Sequence, residues 1–199
     1  MSRPTLVVFV KAPVIGGAKT RLAAGIGKVA AWRRHRAMSA QIIRATKSDQ
    51  WTSVLAVSPE NAIARRFPKV WPNTMMRIAQ GAGDLGDRQA RFFNRFRGPV
   101  CVIGSDAPQV HQRDIAQAFK ALRSHDAVIG PAEDGGYWLL GLNAPTPPGV
   151  FDAVRWSHPQ TRADLESRLN LFALSKIKHL RSLRDIDHKE DLQALRAGA

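Results

Sequence analysis

The chain has 199 residues, of which 44% are hydrophobic, and these values fit one globular domain over residues 1–199 and exclude two full domains. Lysine and arginine number 30 against 16 aspartate and glutamate residues, so the formal charge of +14 indicates an anionic partner. Residues 1–100 contain 18 basic and 4 acidic side chains, whereas residues 101–199 contain 12 of each. The excess positive charge therefore lies in the first half.

Cysteine content and the N-terminal residues exclude further classes. The single cysteine, Cys101, cannot form an intrachain disulfide and rules out a cysteine-based zinc site, which favours a reducing compartment. The apolar run at residues 6–10 is too short for a signal peptide or a membrane span. We expect a cytoplasmic protein without a membrane span, with Cys101 buried in a strand.

Continuous apolar runs without alternation are typical of strands buried on both faces of a parallel sheet. Strands are predicted at residues 6–10, 54–57, 77–80, 99–103, 127–129, 137–142 and 177–183. Helices are predicted at residues 28–47, 60–67, 87–97, 112–123, 161–171 and 189–196. The alternation predicts a mostly parallel, doubly wound α/β sheet with helices on both faces and with ligands at the carboxyl ends of the strands.

A glycine-containing basic loop follows the first strand, and it has the outline of a phosphate-binding loop. Gly16 and Gly17 allow backbone amides to approach a ligand, while Lys11, Lys19 and Arg21 add positive charge. The segment matches neither the P-loop nor the dinucleotide fingerprint. A basic surface turn is the alternative interpretation.

Acidic residues follow the later strands. Asp106, just after the strand at 99–103, is the best magnesium candidate, because Mg²⁺ takes one or two carboxylates plus phosphate oxygens. Asp106 in a simple turn before Pro108 is the alternative. Asp187 is either a second metal ligand or the cap of the last helix.

The segment from Glu133 to Trp138 combines two acids, two glycines and two aromatic residues. Such a segment can supply polar contacts, close backbone approach and a stacking wall to a substrate. A turn at Asp134-Gly135-Gly136 that opens the next strand is the alternative. Trp156 is a candidate for stacking on substrate or for packing in the core.

Five motifs occur in order along about residues 5–195. They are Lys11-Ala-Pro with Gly16 and Lys19-Thr-Arg-Leu22, Gln80-Gly-Ala-Gly-Asp-Leu-Gly86, Gly104-Ser-Asp-Ala-Pro108, Gly130-Pro-Ala-Glu-Asp-Gly-Gly-Tyr-Trp138, and Trp156-Ser157. Together they resemble a bacterial family of glycosyltransferase-like proteins with the nucleotide-diphospho-sugar transferase (GT-A-like) fold. More distantly, the chain is similar to 2-phospho-lactate and molybdenum-cofactor guanylyltransferases. His158 and His188 stand where the family pattern has threonine, and the second departure bears on the role of Asp187.

The resemblance implies a Mg²⁺-dependent (or Mn²⁺-dependent) transferase that takes a nucleotide or nucleotide sugar as donor and a small molecule as acceptor. Its catalytic residues would be Lys19, Arg21, Asp106 and Asp134, with Asp106 and Asp187 as metal ligands. The nucleotide and its phosphates would be bound by Lys11, Gly16, Gly17, Lys19, Arg21, Gln80, Gly83 and Arg88. The substrate would be bound by Glu133, Asp134, Gly135, Gly136, Tyr137, Trp156 and Ser157.

Several alternatives remain at this point. The choice between glycosyl and nucleotidyl transfer is open, since the basic first loop favours a triphosphate and the family label favours a sugar. A non-catalytic nucleotide-binding scaffold is a second hypothesis. Nucleic-acid binding by the arginine-rich helices at 28–47 and 87–97 is a third, although a solvated basic face is the commoner explanation. A homo-oligomer is compatible with the sequence.

Overall fold

A computed structural model describes residues 3–197 of the chain, with side chains described for residues 3–194. Its strands are β1 (Thr5–Lys11), β2 (Thr52–Ser58), β3 (Met76–Ala79), β4 (Gly98–Ile103), β5 (Ala127–Pro131), β6 (Tyr137–Ala144) and β7 (Ile177–His179). Its helices are α1 (Thr20–Ile26), α2 (Lys28–Ala45), α3 (Leu85–Arg95), α4 (Gln112–Ala121), α5 (Thr161–Leu171) and α6 (Lys189–Ala197).

The strands form one seven-stranded sheet in the order β3-β2-β1-β4-β6-β5-β7. Only β6 is antiparallel to its neighbours β4 and β5, and the remaining described pairs are parallel. The predicted α/β class, with a mostly parallel doubly wound sheet, is confirmed. The carboxyl ends of β1 and β4 lie side by side, because their registers pair Val8 with Ile103.

Apolar side chains alternate between two cores, one on each face of the sheet. In β4, Cys101 and Ile103 join the core that α2 and α4 cover, whereas Val100 and Val102 join the core that α3 and α5 cover. Cys101 is completely buried, as predicted, and burial raises the pKa of its thiol above the ordinary value. Helices therefore cover both faces, and the chemistry is confined to the sheet edges and loops.

Two predicted elements are wrong in extent. The helix predicted at 60–67 is only a 3-10 turn at Glu60–Ala62, and the strand predicted at 177–183 is the three-residue β7 followed by an isolated bridge at Leu183. The guanidinium of Arg77 donates to the carbonyls of Ile63 (3.1 Å) and Arg65 (2.7 Å), and the Ile63 carbonyl is one that a helix continuing to residue 67 would have used.

Candidate functional site

The loop between β1 and α1 is held from below by α2. The indole nitrogen of Trp32 donates to the carbonyl of Pro13 (2.8 Å), and Nε2 of the buried His35 donates to the carbonyl of Lys11 (3.2 Å). Burial lowers the pKa of His35 below its ordinary value, which keeps the ring neutral. The loop therefore starts from a fixed position at the end of β1.

Two glycines in this loop have different surroundings. Gly16 has φ 76° with open space where a side chain would lie, whereas a Cβ at Gly17 would come within 2.5 Å of the Val14 side chain. Lys11 and Arg21 are exposed at either side of the loop. The loop thus presents accessible backbone and positive charge at the carboxyl edge of β1, as predicted.

Lys19 is the centre of the site. Its ammonium lies 2.7 Å from a carboxylate oxygen of Asp106 and 2.7 Å from one of Asp187, and its side chain is only 4% exposed. Burial opposes the charge on Lys19, but attraction to the two carboxylates outweighs it and raises the pKa of Lys19. Three predicted site residues, separated by up to 168 positions, therefore meet at one point.

Asp106 and Asp187 reach this point from different elements. Asp106 follows β4, and its carbonyl accepts the N–H of Ile186 (3.1 Å), which ties the segment before α6 to the end of β4. Asp187 is not free to act only as a helix cap, since its carboxylate pairs with Lys19. Burial disfavours the ionised form of Asp187, yet Lys19 and Arg21 lower its pKa below the ordinary value.

Asp185 is a site residue that the sequence analysis did not select. Burial, together with the nearby carboxylates of Asp106 and Asp134, raises the pKa of Asp185 to about 7. The sequence does contain a signal, because Asp185-Ile186-Asp187 alternates acidic and apolar residues. In an extended segment of this pattern the two carboxylates lie on one side and the isoleucine on the other, and Ile186 is completely buried. The acidic part of the site is therefore larger than predicted.

The segment from Glu133 to Tyr137 adjoins this cluster, and its side chains have local partners. The Asp134 carboxylate accepts the N–H of Gly136 (2.9 Å), so the predicted turn is present. The N–H of Glu133 donates to the carbonyl of Leu183 (3.0 Å), which ties this segment to the residues just before Asp185. Glu133 pairs with Arg184 at 2.6 Å. The Tyr137 hydroxyl donates to Gln89 (3.0 Å). Glu133 and Tyr137 are thus bound to other side chains, whereas the Asp134 carboxylate accepts one backbone N–H.

Other predicted residues lie in the structure as packing or loop-forming groups. Gln80 is buried and donates to the carbonyls of Val10 and Ala56, and Arg88 donates to the carbonyl of Gly83 (3.0 Å). Trp138 is 3% exposed, which makes it a core residue.

Two glycines of the predicted motifs also mark close packing. Trp156 packs against Gly86, where a Cβ would come within 2.7 Å of its ring. Gly135 has φ 87°, and a Cβ there would lie 1.9 Å from the carbonyl of Pro159, next to the exposed Ser157. The Gly135 position therefore requires glycine.

With this geometry established, comparisons with known proteins place the chain. Residues 41–158 match the bacterial family DUF2064, described as uncharacterised proteins conserved in bacteria. The chain belongs to this family. The matched region includes Asp106 and residues 133–137, while the first loop and Asp187 lie outside it. A search of curated proteins gave no match.

Solved structures extend the comparison to the whole chain. A protein of Desulfovibrio desulfuricans G20, assigned as a nucleotide-diphospho-sugar transferase, is 28% identical with a TM-score of 0.89, covering 98% of this chain and 87% of its own. CMP:2-keto-3-deoxy-manno-octonic acid synthetase, solved with CTP, has a TM-score of 0.61 at 12% identity, with 98% of each chain covered. The predicted resemblance to nucleotide-diphospho-sugar transferases is confirmed, and so is the transferase class.

A third structure resembles the chain in fold alone. Glucosyl-3-phosphoglycerate synthase of Mycobacterium tuberculosis, in complex with Mn²⁺, UDP and glucosyl-3-phosphoglycerate, has a TM-score of 0.51 at 12% identity and covers 98% of this chain and 76% of its own. The helices in the described part of the chain were also compared with the length and hydropathy of a membrane span, and none is both long and apolar enough to cross a membrane.

Proposed function

We propose that the protein transfers a group from a nucleotide donor to a small acceptor, with a divalent metal ion held by Asp106 and Asp187. The observation that carries the proposal is the meeting of Lys19, Asp106 and Asp187 within 2.7 Å contacts. They meet at the carboxyl ends of β1 and β4, and ligands of α/β sheets bind outside the carboxyl ends of strands. The structural neighbours supply the class of reaction.

The donor set fits Mg²⁺ or Mn²⁺. Oxygens of Asp106 and Asp187 both contact the Lys19 ammonium, so one cation at this place can touch both carboxylates. Residues 3–194 contain no group of three or more histidine, cysteine or acidic side chains arranged to hold a metal. Two carboxylates suffice for Mg²⁺ when substrate phosphate oxygens and water complete its coordination. When bound, the metal would neutralise charge on the donor phosphates.

In this proposal the cations bind the donor phosphates and Asp134 binds the acceptor. Lys11, Lys19 and Arg21 neutralise the phosphates of the donor, and the backbone at Gly16 and Gly17 approaches them closely. Asp134 orients the acceptor or accepts the proton of an acceptor hydroxyl. Glu133 is less suited to this role, because Arg184 already binds its carboxylate at 2.6 Å.

Nucleotidyl transfer from a nucleoside triphosphate is the version that the first loop favours. Lys11 at the end of β1, Lys19 in the following loop and Arg21 at the start of α1 match the charge of a triphosphate better than that of a diphosphate. In this version an acceptor phosphate oxygen attacks the α-phosphorus in line, a new P–O bond forms, and pyrophosphate leaves with the electrons of the broken P–O bond. Lys19 and Arg21 stabilise the charge that develops on the pyrophosphate.

Glycosyl transfer from a nucleotide sugar is the second candidate. It is favoured by the 28% identical Desulfovibrio protein, which is assigned to the nucleotide-diphospho-sugar transferases. Here the acceptor oxygen forms a bond to the anomeric carbon of the sugar, the bond from that carbon to the diphosphate oxygen breaks, and the nucleoside diphosphate leaves with its electrons. Asp134 accepts the proton of the acceptor hydroxyl. Assays that detect released pyrophosphate or released nucleoside diphosphate separate the two candidates, and nucleotide binding without either product indicates a non-catalytic scaffold.

The proposal is tested first by ligand-dependent thermal unfolding. Nucleoside triphosphates and nucleotide sugars are screened with and without Mg²⁺, and a ligand at 100 times its Kd stabilises the folded chain by about 2.7 kcal/mol. We expect Asp106→Asn to lose the Mg²⁺-dependent part of this stabilisation. Asp49→Asn, in the loop before β2 at the opposite edge of the sheet, serves as control and keeps it. Unchanged Mg²⁺-dependent stabilisation of Asp106→Asn contradicts the proposal.

A further inference from the structure

We propose that the Lys19 ammonium is a built-in competitor of the divalent metal, so that the metal enters between Asp106 and Asp187 only when donor phosphates draw Lys19 away. The inference rests on the proposed function, because it takes Asp106 and Asp187 as the metal ligands. It makes the binding of metal and of phosphates mutually dependent.

The Lys19 ammonium and a divalent metal ion would use the same two carboxylate oxygens. The Lys19 ammonium lies 2.7 Å from both carboxylate oxygens, where a metal that binds both would have to lie. A Mg²⁺ ion binds oxygen at about 2.0–2.1 Å, so contact with either of these oxygens would bring it within about 5 Å of the ammonium. Two cations with three positive charges in total would then share two carboxylates. An ammonium and a metal ion bound to the same two oxygens repel each other, so each weakens the binding of the other at this position.

The Lys19 side chain is able to change its anionic partners. A lysine has a flexible four-carbon stem and a compact charge with three donors, so it can exchange carboxylate acceptors for phosphate oxygens without a change of backbone. The loop before it is open, with no atom within 4 Å of a Cβ placed at Gly16. A bound phosphate chain at this loop gives Lys19 anionic acceptors to replace the two carboxylates.

Both carboxylates are accessible to a metal ion that replaces the Lys19 ammonium. Their side chains are 44% and 41% exposed, whereas that of Lys19 is 4% exposed. Asp106 and Asp187 thus keep contact with solvent, and an incoming metal can reach them together with its water ligands. A lysine placed only to stabilise the fold would give a different result, because its loss would weaken the structure without improving metal binding.

The test measures Mn²⁺ affinity without nucleotide, by the electron paramagnetic resonance signal of free Mn²⁺. Lys19→Met removes the competing charge and is expected to bind Mn²⁺ at least tenfold more tightly than the wild-type chain. Lys19→Arg keeps the charge and is expected to stay within twofold of wild type. Lys69→Met is a matched control, because it removes the same charge from a lysine that also has a left-handed backbone. The φ of Lys69 is 65° and that of Lys19 is 57°.

A second measurement adds tripolyphosphate, which lacks base and sugar. We expect it to increase the Mn²⁺ affinity of the wild-type chain by a larger factor than that of Lys19→Met, because only the wild-type chain must move a lysine. Lys19→Gln, which is neutral and able to donate hydrogen bonds to both aspartates, is expected to behave like Lys19→Met. It keeps the test valid if the methionine variant does not fold.

The outcomes separate this inference from the proposed function. Mn²⁺ affinity of both neutral variants equal to or weaker than that of the wild-type chain overturns the competition. If Mn²⁺ binding in the presence of tripolyphosphate is still lost in Asp187→Asn, the proposed metal ligands stand and only the competition fails. If neither the wild-type chain nor any Lys19 variant binds Mn²⁺, both proposals fail.

Discussion

Lys19 combines a left-handed backbone, with φ 57° and ψ 45°, and a side chain that is almost completely buried. A residue with a Cβ pays on the order of 1 kcal/mol for this backbone region. The two ion pairs with Asp106 and Asp187 offset that cost and direct the ammonium into the site. A substitution at position 19 therefore changes both the electrostatics of the site and the start of α1.

Asp185 provides a pH-dependent prediction at the same scale. Its pKa is raised from 3.8 to about 7 in the folded chain, so the folded chain prefers the protonated form more than the unfolded chain does. Stability is then lost as pH rises from about 4 through about 7, by up to about 4 kcal/mol. Asp185→Asn, which cannot ionise, is expected to be more stable than wild type above pH 7.

The measurement is the Tm of both proteins between pH 4 and pH 8 without added metal. The advantage of Asp185→Asn should grow with pH and become small near pH 4, where Asp185 is protonated in the folded chain and about half protonated in the unfolded chain. Asp152→Asn, on an exposed residue, controls for the general loss of a negative charge. A constant Tm difference across this range would show that Asp185 ionises normally in the folded chain.

At the scale of elements, α3 and the glycine loop before it form one unit. Asp84 and Asp87 form a capping box at the start of α3, and Arg91 on the next turns donates to the carbonyls of Gln80 and Ala82. Gly81 has φ 82°, and a Cβ there would come within 2.5 Å of the Arg91 guanidinium. Arg91 thus takes up loop carbonyls, which explains part of the arginine content of this helix without nucleic acid.

Arg91→Ala is expected to destabilise the fold by about 2 kcal/mol, because hydrogen bonds to a charged group contribute about 1.5–3 kcal/mol. Arg95→Ala, on an exposed residue one turn further along α3, is expected to change stability by less than about 0.5 kcal/mol. Urea unfolding of both variants measures the difference. Equal effects of the two substitutions would mean that the Arg91 contacts are not stabilising.

Runs of apolar residues in the sequence predict the buried strands, because strand formation there depends mainly on residues within the run. The run at residues 6–10 is apolar at every position, and β1 forms there because both faces of the sheet are covered. The helix at 60–67 does not continue beyond Ala62, and Arg77, which lies 14 residues after Ile63, binds the Ile63 carbonyl that such a helix would need. No periodicity within eight residues contains that information.

The candidate site also has features that the sequence predicts and features that only the fold shows. Position after a buried strand is enough to predict Lys19 and Asp106 as site residues, because carboxyl ends of parallel strands share an edge. For Asp187 the residues alone leave a metal ligand and a helix cap as alternatives, and only the family resemblance joins it to Asp106. That Lys19 lies between the two carboxylates depends on a contact across 168 positions, which spacing does not encode. His35 was missed as the anchor of Lys11, although a histidine at helical spacing from the buried Ala31 and Met38 is a visible signal of a buried polar role.

For the whole molecule, the charge of +14 is distributed unevenly around the site. Lys19 of the first loop pairs with two carboxylates that the neutral half of the chain contributes. Lys28, Arg33 and Arg34 are exposed cations of α2. These three residues line a surface cleft of about 940 Å³ between the end of α1 and the start of α2. Among the predicted site residues, none lines this cleft.

Distance and screening decide whether this basic surface contributes to phosphate binding. Lys28, Arg33 and Arg34 are exposed and line a cleft of their own, and exposed charges that do not contact a ligand are largely screened beyond the Debye length of about 8 Å at 0.15 M salt. We expect the triple variant Lys28→Gln, Arg33→Gln and Arg34→Gln to change the Kd for tripolyphosphate with Mg²⁺ by less than about twofold at this salt concentration. Arg21→Gln, at the site itself, should weaken binding about tenfold.

Calorimetric titrations at 0.15 M and at 0.01 M salt measure both effects. At 0.01 M the Debye length is about 30 Å, so the positive field of α2 reaches the loop and the triple variant should lose several-fold in affinity. Arg21→Gln should show a loss at both salt concentrations, because a direct contact is screened much less. If the triple variant loses as much as Arg21→Gln at 0.15 M, the phosphates bind on α2 rather than at the carboxyl ends of the strands.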